Sequence, residues 1–307
     1  MTQLTTQEVL THLQEGKSLK QAELSAIHLE DALLDKGDFT ESYLKRAILT
    51  GASCQEANFS GATLIFAQLS AANLRACKLV NAILTNAELT SVNVEAIQAK
   101  GAKFYGATLI GATGEQAMLD EADFRESNGA RSQFIKASCN STAFNRATFD
   151  SASFEGASLV RTQWPEASLI AANFAGANLE QAVFDRATLT NANFSNANVL
   201  NVDFRHANLT EAIFVSAQLD WSNLTETKLA DAQFQNASLF NTNLRGADLR
   251  GADLAGADLR DANFEDTQLE GIRLDGCKVR KAIFTGATGL SEGQKFWLQE
   301  NHALNVA

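Results

Sequence analysis

The residue types that most often carry redox, metal or nucleophilic chemistry are sparse in this chain. There are four cysteines, Cys54, Cys77, Cys139 and Cys277, and four histidines, His12, His28, His206 and His302. The cysteines have no zinc-ligand spacing, and no thioredoxin-like pair occurs. No His-Glu-x-x-His segment, nucleophile elbow, Walker loop or strand-linked Gly-x-Gly-x-x-Gly is present. Serines and carboxylates are plentiful, but a chain that repeats itself generates many such pairs by repetition alone. This reading predicts no catalytic residue, no metal ligand and no cofactor.

Composition narrows the partners. The formal net charge is −11 and the isoelectric point about 4.9. Nucleic acid and anionic membrane surfaces both call for clustered Lys and Arg, so neither is expected as a direct partner. The first residues lack a basic stretch followed by an apolar run, and no segment approaches the length of a membrane span. Cytoplasmic location is the resulting expectation. There is a single proline, Pro165, and 19 phenylalanines stand against two tyrosines. So little proline implies few irregular loops, or turns built another way.

The organisation follows from an internal period. Leu169, Phe174, Leu179, Phe184, Leu189 and Phe194 recur every five residues. Two residues before each stands an alanine, from Ala167 to Ala192. The consensus is Ala-(Asn/Asp)-(Leu/Phe)-x-x, clearest at 246–254, and the frame holds from Leu24 to Gly289, about 54 consecutive fives. Neither a helix of period 3.6 nor a strand of period 2 keeps one face apolar at period five. A coil that turns a corner every five residues does, with one large and one small side chain inward on each side.

This pattern resembles the pentapeptide repeat family over most of the chain. The resemblance implies an all-β fold, a right-handed quadrilateral parallel β-helix with four fives per coil. About 13 coils would follow, a rod roughly 60–65 Å long at the usual strand spacing. Residues twenty apart then form columns. Phe134, Phe154, Phe174, Phe194, Phe214 and Phe234 make one; Phe104, Phe124, Phe144, Trp164, Phe184 and Phe204 make the wall opposite; leucines fill the other two. Asn and Asp just before the central residue can bond the turning backbone or one another. The cysteines all fall on inward positions and read as small buried hydrophobes.

A stack of parallel coils exposes sheet edges at both ends and needs caps. Residues 1–20 are expected to form an N-terminal helical cap, with Thr5 and Glu8 at capping-box spacing and Gly16 as the stop. Residues 21–290 form the β-helix. Residues 291–307 form a C-terminal cap or a dimerisation segment: Ser291 and Gln294 have capping-box spacing, and Phe296, Trp297 and Leu298 either plug the last coil or meet a second copy. The protein is thus expected as a monomer or a homodimer through this end. Gly114 and Gly129 stand where large central residues belong, and Ala99 and Cys139 are also small there. The missing volume predicts a narrower coil, a bend or a small cavity.

Outward positions are mostly polar or charged, so apolar ones stand out. Leu200, Trp221 and Phe240 fall at one corner of successive coils, with Val160 two coils below Leu200, as a candidate protein-contact edge. Ile65 and Phe66 are a second candidate. Arg125, Arg146, Arg186, Arg205, His206 and Arg245 alternate with Glu126, Glu166, Asp185 and Glu226, which reads as a solvated ion-pair ladder. The chain therefore reads as a non-enzymatic binding or scaffolding rod for a protein partner. The resemblance adds two specific roles, since some family members are associated with bacterial secretion systems. Others resemble duplex DNA in width and charge, and bind DNA gyrase to protect it from quinolones or a toxin. This chain lacks the projecting loops that several of those use, and no face is uniformly acidic.

Overall fold

The computed structural model describes residues 4–306 and contains two compact units, one ending at Ser158 and one beginning at Leu159. Each is a quadrilateral parallel β-helix built from fives. Within each unit the residue before the central one bridges its counterpart twenty residues on. Tyr43–Thr63–Ile83 in the first unit and Asn193–Ile213–Gln233 in the second are examples, all parallel. Four fives therefore close one coil. The architecture is the right-handed β-helix implied by the repeat, with one short helix at each end: α1 (Thr6–Gln14) and α2 (Glu292–Glu300).

One five shows why the sequence folds this way. The Ala192 amide donates to the Leu189 carbonyl and closes the corner. Asn193 N–H donates back to Ala172 (2.9 Å), while Phe194 and Asn196 N–H donate forward to Ile213 and Val215 (2.6 and 2.9 Å). The Ser195 amide alone has no backbone rung, and the Asn193 Oδ1 accepts it at 2.9 Å. Asn208 does the same for Thr210 and Asp253 for Ala255. An unpaired backbone donor is costly, and this is the physical reason for Asn and Asp in the consensus. At Ser53 and Ser138, which replace them, an aspartate eighteen residues earlier takes over. Asp35 accepts from Ser53 Oγ and Gln55 N–H, and Asp120 from Ser138 Oγ and Asn140 N–H. Side chains also bond one another up a column, as Asn198 Nδ2 does to Asn178 Oδ1 at 2.9 Å.

The corners have a second consequence. Every fifth residue from Gln21 to Gly286 has a positive φ, the conformation that the third residue of a type II turn requires. Glycine takes it freely, as at Gly251 (φ 72), but most corner residues here are not glycine. They are nearly all small or polar, and none is β-branched.

The bore is filled as the columns predict. In the second unit Phe174, Phe194, Phe214 and Phe234 stack at 5.0, 4.8 and 4.9 Å between ring centroids. Trp164, Phe184 and Phe204 stack on the opposite wall at 5.9 and 5.1 Å. Across the bore the walls meet edge to face, Phe174 to Phe184 at 6.0 Å and 78°. In the first unit Phe104, Phe124 and Phe144 stack in the same manner at 4.5 and 5.1 Å. Both geometries suit the ring quadrupole, so each ring gains attraction beyond its buried area.

The expectation at Gly114 and Gly129 needs correction. Neither place is an empty defect. A Cβ at Gly129 would lie 2.1 Å from Phe149 Cε1, and one at Gly114 would lie 2.6 Å from Phe134 Cδ1 and Cε1. The phenylalanine of the following coil fills the space that the glycine leaves. Phe149 is itself the exception on a leucine wall, and its ring volume is matched by the missing side chain below.

The ends are closed by hydrogen bonds as well as by apolar contact. Both capping boxes form, Thr5 with Glu8 and Ser291 with Gln294. Thr6 Oγ1 donates to the His28 carbonyl at 2.8 Å, and Val9 is fully buried against the first coil. At the other end Gln294 Nε2 donates to the Ile272 carbonyl at 2.9 Å. The chain after α2 then returns to the sheet. Leu304 bridges Ile283, its N–H donating to Ala282 O at 2.7 Å and its carbonyl accepting from Phe284 N–H at 3.0 Å. This last rung covers part of the open edge that a solenoid must protect.

Candidate protein-contact surface

The corner that bears Leu200, Trp221 and Phe240 lies within the second unit. Asp220 holds it in shape: its carboxylate accepts the Phe240 N–H at 3.0 Å and the Ser238 hydroxyl. Trp221 is 57% exposed, and its ring meets Phe240 edge to face at 5.7 Å. Leu200, one coil below, is half-buried, as is Phe240. One coil above, Arg260 stands 5.8 Å from the Phe240 ring centroid, a cation–π contact. Its guanidinium is fixed there by a two-point pair with Asp258, at 2.8 and 2.6 Å. The corner thus reads upward as aliphatic, indole, phenyl, guanidinium. Arg260 was not legible as part of the edge, because its role depends on a ring twenty residues earlier.

Trp221 is also out of place conformationally. Its φ is 64°, and a bulky side chain in the left-handed region is disfavoured by about 1–2 kcal/mol. Among the described corner residues of positive φ only Trp221 and Phe66 (φ 57) are large and apolar. Both are exposed, so folding gains little from them. Strain at an exposed residue points to use.

The other candidates separate. At the C-terminal end Leu298 is fully buried, Trp297 half-buried, and Phe296 65% exposed. Leu298 thus packs inward, and of the three it is Phe296 that faces solvent. Parts of the expected ion-pair ladder form: in the second unit Arg186 meets Asp185 at 2.8 Å and His206 lies 3.0 Å from Asp185 and 3.5 Å from Glu226, while Arg245 turns to Asp266, and in the first unit Arg146 pairs with Glu126. Arg125 and Arg205, however, bond Asp123 and Asp203 two residues back. The same Asp-x-Arg clasp recurs at Asp248–Arg250 and Asp258–Arg260. In each clasp the aspartate caps the arginine amide and binds its guanidinium together.

The four cysteines are buried. Burial pushes the Cys77 thiol up to about 12 and Cys277 to about 11, and raises Cys54 and Cys139 as well. The Cys77 thiol donates to the Cys54 carbonyl at 2.6 Å. Thiols so placed are poor nucleophiles. Surface clefts lie between α1 and the first coil (Leu13, Lys17, Asp35, Asp38), beside α2 (Ile272, Leu274, Trp297) and at a corner of the second unit (Glu226, Arg245, Asp266). No helix of the described residues is long and apolar enough to cross a membrane.

Comparison with known proteins agrees with the repeat. A family described as Pentapeptide repeats (8 copies) matches residues 27–64, 67–98, 100–128, 167–205 and 252–288, and one described as Pentapeptide repeat region matches 187–264. More than half of the chain is matched, and the protein belongs to the pentapeptide repeat family. Among solved structures it is similar to HetL, a pentapeptide repeat protein involved in heterocyst differentiation regulation from the cyanobacterium Nostoc sp. strain PCC 7120. Identity there is 23% over 92% of this chain and 94% of that one, with a TM-score of 0.22. Rfr23 from the cyanobacterium Cyanothece 51142 is 38% identical over 30% of this chain and 58% of that one, with a TM-score of 0.24. QnrB1, a plasmid-mediated fluoroquinolone resistance protein, is 21% identical over 74% and 98%, with a TM-score of 0.30. No curated protein matches the chain.

Proposed function

We propose that this protein is a non-enzymatic scaffold that binds another protein through the Leu200–Trp221–Phe240 corner. The observation that carries the reading is Trp221: an indole held at positive φ and left 57% in solvent. Both conditions disfavour it in an isolated chain, and a partner that covers the indole removes the exposure while the coil keeps the φ. The neighbouring Phe240 and Arg260 supply further contact types that interfaces favour. The burial of all four thiols agrees with a binding role.

DNA mimicry is a second reading, favoured by the net charge of −11. The Asp-x-Arg clasps speak against it. They neutralise Asp123, Asp203, Asp248 and Asp258 locally, whereas a duplex presents unneutralised charge at regular spacing.

The test is affinity capture from a native lysate with wild type and with Trp221→Ser/Phe240→Ser, read by mass spectrometry. Binding of each captured protein is then measured in purified form. A partner bound by wild type and lost in the double variant, with unchanged circular dichroism, is the expected result. Equal capture by both forms would overturn the assignment of this corner. Enrichment of gyrase subunits would transfer the case to DNA mimicry.

A further inference from the structure

Phe66 is the other large apolar side chain at a corner of positive φ, and it lies in the first unit. It is 46% exposed, and its surroundings differ from those of Trp221. It borders a flat face whose rungs run Tyr43–Thr63–Ile83–Lys103, joined by consecutive parallel bridges. Tyr43 is exposed, and Ile65 and Ile83 are half-buried, so tyrosine, isoleucine and phenylalanine side chains line adjoining rungs about 4.8 Å apart. These side chains point away from the bore, which Leu44, Leu64, Leu84 and Phe104 fill from the same strands.

The charge around this face is cationic at the Phe66 corner, while Glu23 and Asp123 stand at the two ends of the rung ladder. Residues 43–46, 63–66, 83–86 and 103–106 include Lys45, Arg46 and Lys103 and no carboxylate. Among the described residues no carboxylate lies within 4 Å of the Lys45 or Arg46 cationic group, although most arginines of the chain are paired, whereas Lys103 stands on the rung next to Asp123. Arg46 stands 5.9 Å from the Phe66 ring centroid. In a chain of net charge −11, an apolar corner with Lys45 and Arg46 unpaired beside it is a local reversal. Cations left without partners beside exposed rings are complementary to an acidic, apolar-bearing surface.

We infer that the Tyr43–Phe66–Ile83 face is a second protein-contact surface, and that its occupant is an acidic segment of a partner protein carrying apolar side chains between its carboxylates. The apolar groups of that segment cover Phe66, Ile65 and Ile83, and its carboxylates meet Lys45 and Arg46. Aromatic and arginine side chains together are the composition that protein interfaces enrich. The attraction is partly ionic and surface-exposed, so it weakens with added salt. A corner ring at positive φ again marks the anchor.

The experiment selects from a random peptide library displayed on phage, using the whole protein as bait. The recovered peptides are then titrated by fluorescence polarisation. Selected peptides should be rich in Asp and Glu interspersed with Leu, Ile or aromatic residues. Their affinity should fall on the order of tenfold or more with Phe66→Ser and with Lys45→Glu/Arg46→Glu, as expected for an anchor or a close charge pair. Trp221→Ser should leave it unchanged, which separates this surface from the corner proposed above. Phe66→Gly removes the same ring while relaxing the corner, and it serves if the serine variant loses structure. Recovery of basic or neutral peptides, no recovery, or equal binding by the charge-reversed variant would overturn the inference. A concentration-dependent dimer that Phe66→Ser abolishes would also overturn it, by making the occupant a second copy of this chain.

Discussion

Placing a methyl group at Gly129 tests whether the ring-in-socket packing is real. The backbone there does not have a positive φ, so alanine is conformationally acceptable and any penalty is steric. The new Cβ would lie 2.1 Å from Phe149 Cε1 and 2.6 Å from Cδ1 and Cζ. Relaxed carbon contacts need ~3.5–4.0 Å, so the ring must retreat by more than 1 Å. It has little room to do so, since it is fully buried and meets Phe144 edge to face at 5.3 Å, with Phe124, Phe134 and Phe154 within 6.4 Å. Overpacking of this kind costs about 1–3 kcal/mol. Phe149→Leu alone removes three carbons from a filled space and costs on the order of 2 kcal/mol at ~0.8 kcal/mol per buried carbon. Combined as Gly129→Ala/Phe149→Leu, the methyl enters the space that the ring vacates. The double variant should then lose less than the sum of the singles by at least ~1 kcal/mol, since the two sites share one volume. The measurement is urea unfolding followed by far-ultraviolet circular dichroism for the four proteins. A single-variant loss under ~0.5 kcal/mol, or additivity within ~0.5 kcal/mol, would refute the packing argument.

Three further outcomes follow from the same structure. Phe194→Ala removes a ring stacked on both sides and should destabilise by about 3–5 kcal/mol in the same melt, where a loss below ~1 kcal/mol would contradict the stacked column. Ala96→Gly relaxes a corner at φ 52° and should be neutral or stabilising, whereas Ala102→Gly, at a fully buried inward position, should cost about 0.5–1 kcal/mol. Equal effects at the two alanines would remove the conformational account of the corners. With thiols held at about 12 (Cys77) and about 11 (Cys277), a chromogenic disulfide reagent at pH 8 should titrate none of the cysteines quickly in the native protein and all four in denaturant. Cys277, at 8% exposure, should react first, and fast native labelling of Cys139 would show that the bore opens.

Period, inward positions and end caps were legible in the amino-acid order, because each depends on residues a few places apart. A large side chain every fifth residue, with alanine two before it, admits one way of burying both. Phe174 and Phe194 therefore stack where a count of twenty puts them. The capping pairs Thr5–Glu8 and Ser291–Gln294 are local in the same sense. Other features needed the coils laid one on another. Gly129 is a gap in the sequence and a filled socket in the fold, since the Phe149 ring reaches down a full coil. The Asn and Asp of the consensus could bond in several ways, and only the rung pattern leaves the following amide without another acceptor. Trp221, Phe240 and Arg260 are nineteen and twenty residues apart in sequence and in contact at one corner. Sequence order set the direction in which each side chain leaves the coil, because the turn dictates that locally. Which side chains then touch depended on the ~4.8 Å rise between coils and on the rotamers it permits, and those are properties of the tertiary structure.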